Sequence, residues 1–131
     1  MASSEEESLT FLYPPAFDKE WKRCGLNQSD KEEMESLLTH FRQQEHHIGK
    51  PYLGDTIQKT GGAIKLRFSP ESSKKGKSGS YRIIYFIALE NTYAFLDVYP
   101  KSAKESLTDR DKKEIKQFIT DFKKITKKGA N

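Results

Sequence analysis

The segment Ile64-Lys65-Leu66-Arg67-Phe68 constrains this chain more than any other, because apolar and cationic side chains alternate through it without a break. Successive side chains of a strand point to opposite faces, so three apolar groups line one face and Lys65 and Arg67 share the other. Two β-prone runs follow, 81–89 and 93–99, joined by the short link Glu90-Asn91-Thr92. Residues 72–79, rich in Lys, Gly and Ser, read as a hairpin loop ahead of them. Strands linked this closely are expected to pair antiparallel.

Upstream, Leu9-Thr10-Phe11-Leu12-Tyr13 ends at Pro14-Pro15 and reads as a short first strand. Phe17, Trp21 and Cys24 recur at i, i+4 and i+7 before Gly25, which predicts a helix over 15–24. Ser29 and Glu32 form a capping-box pattern ahead of Met34, Leu37, Leu38 and Phe41, which predicts a second helix over 30–45. Five glycines and prolines punctuate 46–62, expected to be loop with at most a short edge segment. Thr108 is a good N-cap, with Asp109 and Asp111 behind it, and Ile115, Phe118, Ile119, Phe122 and Ile125 continue at helical spacing. The expected fold class is α+β: a small antiparallel sheet of about four strands with two N-terminal helices and one C-terminal helix, the helices covering one sheet face.

A chain of 131 residues has room for one moderate core. The expected organisation is a disordered acidic start over 1–8, one domain over 9–126 and a basic tail over 127–131. Charge is divided unevenly. Residues 1–60 carry 7 Lys and Arg against 11 Asp and Glu, and residues 61–131 carry 16 against 8, so the halves are −4 and +8. A basic half in a polar domain points to a polyanion such as RNA, whose phosphates Lys and Arg neutralise with release of counterions. Lys123, Lys124, Lys127 and Lys128 contribute to the excess and also suit the end of a solvated helix. Cys24 is the sole cysteine, which excludes an intramolecular disulfide and a Cys-based zinc cluster and fits a reducing, cytoplasmic compartment. No apolar run approaches the roughly 20 residues that span a bilayer, so no membrane partner is expected.

Several motifs fall to simpler readings. Gly76-Lys77-Ser78 lacks the glycine a phosphate-binding loop needs at position 71, which is Glu, and a strand rather than a helix follows. His46 and His47 are adjacent and His40 is six residues before His46, so no i, i+4 pair aims two imidazoles at a metal. Lys65, Arg67 and, on the next strand, Arg82 are the sharper signal, although an open sheet with one solvated face explains the periodicity equally well. Lys74, Lys75 and Lys77 at the hairpin tip suit a nucleic-acid backbone, and Tyr81, Tyr85 and Tyr99 suit stacking on bases, or simply the core.

Phe17 and Trp21, then Gly61-Gly62-Ala63-Ile64-Lys65-Leu66-Arg67, then Gly76-Lys77-Ser78-Gly79-Ser80-Tyr81-Arg82-Ile83-Ile84-Tyr85, and finally the run from Val98-Tyr99-Pro100-Lys101 through Leu107-Thr108, together resemble the RelE/ParE toxin superfamily, and within it HigB-type members. The resemblance implies the toxin of a type II toxin–antitoxin pair that enters the ribosomal A site, beside ribosomal RNA, and cleaves mRNA there without metal or cofactor. It implies a cognate antitoxin carrying a helix-turn-helix DNA-binding domain. Carried over by motif, Lys65, Arg67, Arg82 and Lys101 are the catalytic candidates; the RNA-binding candidates are Lys74, Lys75, Lys77, Tyr81, Tyr99 and Lys104. Ala63 and Leu107 stand where RelE has a lysine and a tyrosine, so the general base is left unassigned between Tyr99 and a lysine. A ParE-like inhibitor of DNA gyrase has the same fold without nuclease chemistry, and the basic strand pair argues against it. A non-catalytic RNA-binding module is the third reading.

Overall fold

The computed structural model describes residues 9–44, 52–71, 80–103 and 107–129. Its elements run β1 (Thr10–Leu12), α1 (Pro15–Arg23), α2 (Gln28–Gln43), β2 (Asp55–Thr56), β3 (Ile64–Phe68), β4 (Tyr81–Leu89), β5 (Thr92–Pro100) and α3 (Asp109–Gly129). The residues expected to form a disordered start, the hairpin tip and residues 104–106 lie outside the described residues, whereas α3 runs on through 127–129, expected as tail.

Local chemistry sets the helix ends. Pro15 occupies the first position of α1, where a missing N–H costs nothing. The helix closes in a Schellman arrangement: the Gly25 N–H donates to the Lys22 carbonyl at 2.9 Å and the Leu26 N–H to the Trp21 carbonyl at 3.1 Å. Gly25 sits at φ +83°, a conformation that favours glycine. Helix α2 starts earlier than the Ser29 pattern suggested. Asn27 is its cap, accepting from the Asp30 N–H at 2.9 Å while the Asp30 carboxylate accepts from the Asn27 N–H at 2.9 Å. The Trp21 indole also donates to the Asn27 carbonyl at 2.9 Å, tying the linker to α1. Thr108 caps α3 as expected, exchanging two 3.0 Å hydrogen bonds with Asp111.

The sheet has five strands in the order β1-β5-β4-β3-β2. Strands β2 to β5 pair antiparallel, as their short links require, but β1 lies parallel to β5, so the sheet is mixed. The helices also cover both faces rather than one. Phe17, Trp21, Met34 and Leu38 from α1 and α2 join Ile64, Leu66, Ile83, Tyr85, Phe95 and Val98 on one face. Ile84, Phe86, Ala94 and Tyr99 face the other way, toward Ile119 of α3. Tyr81–Leu89 is apolar on consecutive positions, Ile83 through Ile87, and such an unbroken run needs cover on both sides.

Aromatic packing dominates the first core. Phe95 stacks on Tyr13 at 4.8 Å between centroids and meets Phe17 at 5.4 Å and Tyr85 at 5.8 Å. A bulge in β5 makes this possible: Asp97 pairs with Ile84 and Phe95 with Tyr85, leaving Leu96 as an extra residue. Phe95 and Val98, three apart, therefore both reach the same core. Arg42 of α2 clamps the β4–β5 turn, donating to the Tyr93 hydroxyl at 3.1 Å and to the Glu90 carbonyl at 2.5 Å.

Candidate active site

Helix α3 covers only part of its face of the sheet. At the end it leaves open, the antiparallel register places Arg67 of β3 directly opposite Arg82 of β4, and Arg82 directly opposite Tyr99 of β5. The three side chains form one row across the central strands. In the neighbouring row on the same face, Lys65 pairs with Ile84, and Asp55 of the edge strand pairs with Lys65. Lys101 follows the end of β5 in a turn, its N–H donating to the Ser80 carbonyl at 3.0 Å, so it is exposed at the Arg82 end of the sheet.

Arg67 is exposed, and Lys65 and Arg82 are half-buried. The Arg82 guanidinium donates to the Ser80 hydroxyl at 2.9 Å, which holds it toward the start of β4. None of Lys65, Arg67, Arg82 and Lys101 forms an ion pair among the described residues. Like charges directly opposite on a sheet destabilise it, so an arginine pair of this kind is suited to an anion lying over both. Tyr99 is buried at 5% exposure. Burial above all, with the charge of Asp97, pushes its phenol above the ordinary tyrosine pKa, against the opposing pull of Arg82. The hydroxyl itself is buried within the protein.

Beside the row lies a cavity of about 370 Å³ bounded by Lys65, Tyr99, Leu107, Gln58 of the β2–β3 turn and Lys112 in the first turn of α3. Leu107, at the position where the resemblance left the family's tyrosine missing, is a buried wall of this cavity. Ala63 is fully buried in the core beneath α3 and reaches no solvent.

The structure thus brings together Lys65, Arg67, Arg82 and Tyr99, with Lys101 at their edge. Tyr81 does not join them: it faces α1, and its hydroxyl donates to the Cys24 carbonyl at 3.3 Å. Tyr85 is a core residue, fully buried, stacked on Tyr93 at 5.3 Å and donating to the Leu53 carbonyl at 2.6 Å. Both belong to the face opposite Arg82 because odd and even positions of β4 point apart. Lys74, Lys75, Lys77 and Lys104, like His46 and His47, lie outside the described residues. Among the described residues no group of three or more His, Cys, Asp or Glu side chains is placed to hold a metal ion, and no helix is long and apolar enough to cross a membrane.

Lys112 escaped the reading of the sequence. Its signal was there: Lys112, Ile115, Ile119 and Phe122 share one helical face, and a lysine heading an apolar stripe is drawn against the sheet.

Residues 54–130, more than half of the chain, match the family model described as the RelE toxin of the RelE/RelB toxin–antitoxin system. The matched segment contains the whole basic row, both cavity lysines and the helix that covers the rest of the face. The chain belongs to the RelE toxin family, and is the toxin of a toxin–antitoxin system.

Proposed function

We propose that this toxin is a ribosome-dependent mRNA endoribonuclease of the HigB type, cutting the message in the ribosomal A site. The observation that carries the reading is the pair of arginines set directly opposite each other, Arg67 and Arg82, beside the buried Tyr99. In such a cleavage the substrate's own 2′-oxygen attacks the adjacent phosphorus, the bond to the 5′-oxygen breaks, and a 2′,3′-cyclic phosphate and a 5′-hydroxyl result. Charge builds on the non-bridging oxygens, where two preorganised guanidinium groups stabilise it most. Lys65 and Lys101 are the amines in position to carry the proton from the 2′-hydroxyl to the leaving 5′-oxygen. The reading carries with it a cytoplasmic site of action and a cognate antitoxin with a helix-turn-helix domain.

Purified ribosomes programmed with a defined message test it. Wild-type protein is expected to release fragments ending in a 2′,3′-cyclic phosphate, and Arg82→Ala to lower the rate by about 10²- to 10³-fold, as for loss of one oxyanion donor. Wild-type cleavage by Arg82→Ala overturns the assignment. Intact message together with inhibited supercoiling by purified DNA gyrase supports the ParE-like activity instead.

A further inference from the structure

Of the side chains that bound the cavity beside the basic row, Lys65 alone has a part in the bond-breaking steps. The cavity is bounded on three sides by elements locked in place. On one side the β2–β3 turn is pinned from within: the Thr60 hydroxyl, fully buried, donates to the Ile57 carbonyl at 2.6 Å and accepts from the Ala63 N–H at 3.1 Å, and the Ile57 N–H reaches the Ala63 carbonyl at 2.9 Å. Gln58 rides on this turn, exposed, and its side-chain amide makes no hydrogen bond among the described residues. On the second side the capped first turn of α3 presents Lys112, whose own N–H is held by the Thr108 carbonyl at 3.0 Å. The third side is the sheet, with Lys65 and the ring of Tyr99, and Leu107 closes the end.

These are the components of a nucleotide subsite. Lys65 and Lys112 are both half-buried and form no ion pair among the described residues, which suits a phosphate between them. Tyr99 and Leu107 supply apolar surface for the face of a base, and the Gln58 amide supplies one donor and one acceptor for its edge. Asp55, register partner of Lys65, brings an acceptor to the rim. A volume of about 370 Å³ is at the lower end of small-molecule sites, roughly 300–1,000 Å³, and admits one nucleotide rather than two.

We infer that this cavity receives a single unstacked nucleotide of the cleaved strand, next to the scissile phosphate, with Lys112 holding its phosphate and Gln58 reading its base. The inference rests on the reading of the adjoining row as an RNA-cleaving face, and it makes Gln58 a specificity-determining residue. The pinned turn matters here because it fixes the backbone from which the Gln58 amide reaches the edge of a base.

Two measurements test it. In the first, fragment ends from programmed ribosomes are sequenced for wild type, Gln58→Ala and Gln58→Glu. Gln58→Ala is expected to flatten the base preference at one fixed position relative to the cut. Gln58→Glu, which has acceptors only, is expected to shift that position toward bases presenting amino groups and lower uptake of those presenting carbonyls. Preferences that superpose on wild type at every position overturn the inference while leaving the cleavage reading intact. In the second, ¹⁵N-labelled protein is titrated with the four nucleoside 3′-monophosphates. Shifts centred on the Gln58 side-chain amide and the Leu107 and Lys112 backbone amides, weakened at least several-fold by Lys112→Ala, are expected. Absence of shifts at these groups overturns the inference. If wild type cuts no message, this titration alone decides it, so failure of the nuclease reading and failure of the subsite are told apart.

Discussion

Arg67→Gln is expected to make the protein more stable and less active at once. Arg67 faces Arg82 across β3 and β4, exposed and without a hydrogen bond or ion pair among the described residues, so glutamine removes a charge and no contact. Two unit charges about 4 Å apart repel by about 1 kcal/mol in water and about 4 kcal/mol at an effective dielectric constant of 20. Arg67 is exposed and the long side chains splay, so the lower end applies, in line with the roughly 0.2–1 kcal/mol of cross-strand pairs. Urea unfolding at about 0.01 M salt is therefore expected to show a gain of about 0.2–1 kcal/mol. The gain fades toward about 1 M, where the screening length falls to about 3 Å. Cleavage of ribosome-bound message is expected to fall by about 10²-fold or more. A variant less stable than wild type by more than about 1 kcal/mol would refute the reasoning, since Arg67 would then be holding the sheet together. A gain indifferent to salt refutes the electrostatic account.

The cap of α2 is tested by Asn27→Ala, expected to cost about 0.5–2 kcal/mol in chemical denaturation, with Ser29→Ala near neutral because its hydroxyl is not the cap. Gly54→Ala is expected to lower the melting temperature and perturb amide resonances along β2 and β3. At φ +120° an added Cβ would lie 2.6 Å from the Lys65 carbonyl oxygen and 2.8 Å from Ile64 Cγ2, so β2 must leave its register and the cavity loses a wall. Alkali is expected to destabilise the fold from about pH 10 upward. Burial raises the phenols of Tyr13, Tyr85 and Tyr99, so above the unfolded tyrosine value near 10 the native state holds more protons than the unfolded one and stability falls as pH rises. Spectrophotometric titration checks this: full tyrosinate absorbance near pH 10 with the fold intact contradicts it.

Read by itself, the sequence determined the elements and one face of one strand. Period-2 alternation in Ile64–Phe68 put Lys65 and Arg67 together, and helical spacing behind Thr108 located α3, because both signals are carried by neighbours along the chain. Motif resemblance added Lys101 and gave Arg82 its role. Which residues stand beside one another across strands was decided only by tertiary structure. The opposition of Arg67 to Arg82 and of Arg82 to Tyr99 depends on register, and register depends on packing of both faces at once. The same cause kept the place of Tyr81 and Tyr85 open: the apolar run in β4 shows no period, so which odd or even positions face α1 was undetermined until the layers were assembled. The parallel pairing of β1 with β5 joins segments some 80 residues apart, for which no local pattern exists. Lys112 and Gln58, distant in sequence and on different elements, meet only because α3 returns across the sheet beside the β2–β3 turn, and the cavity between them is a property of that return.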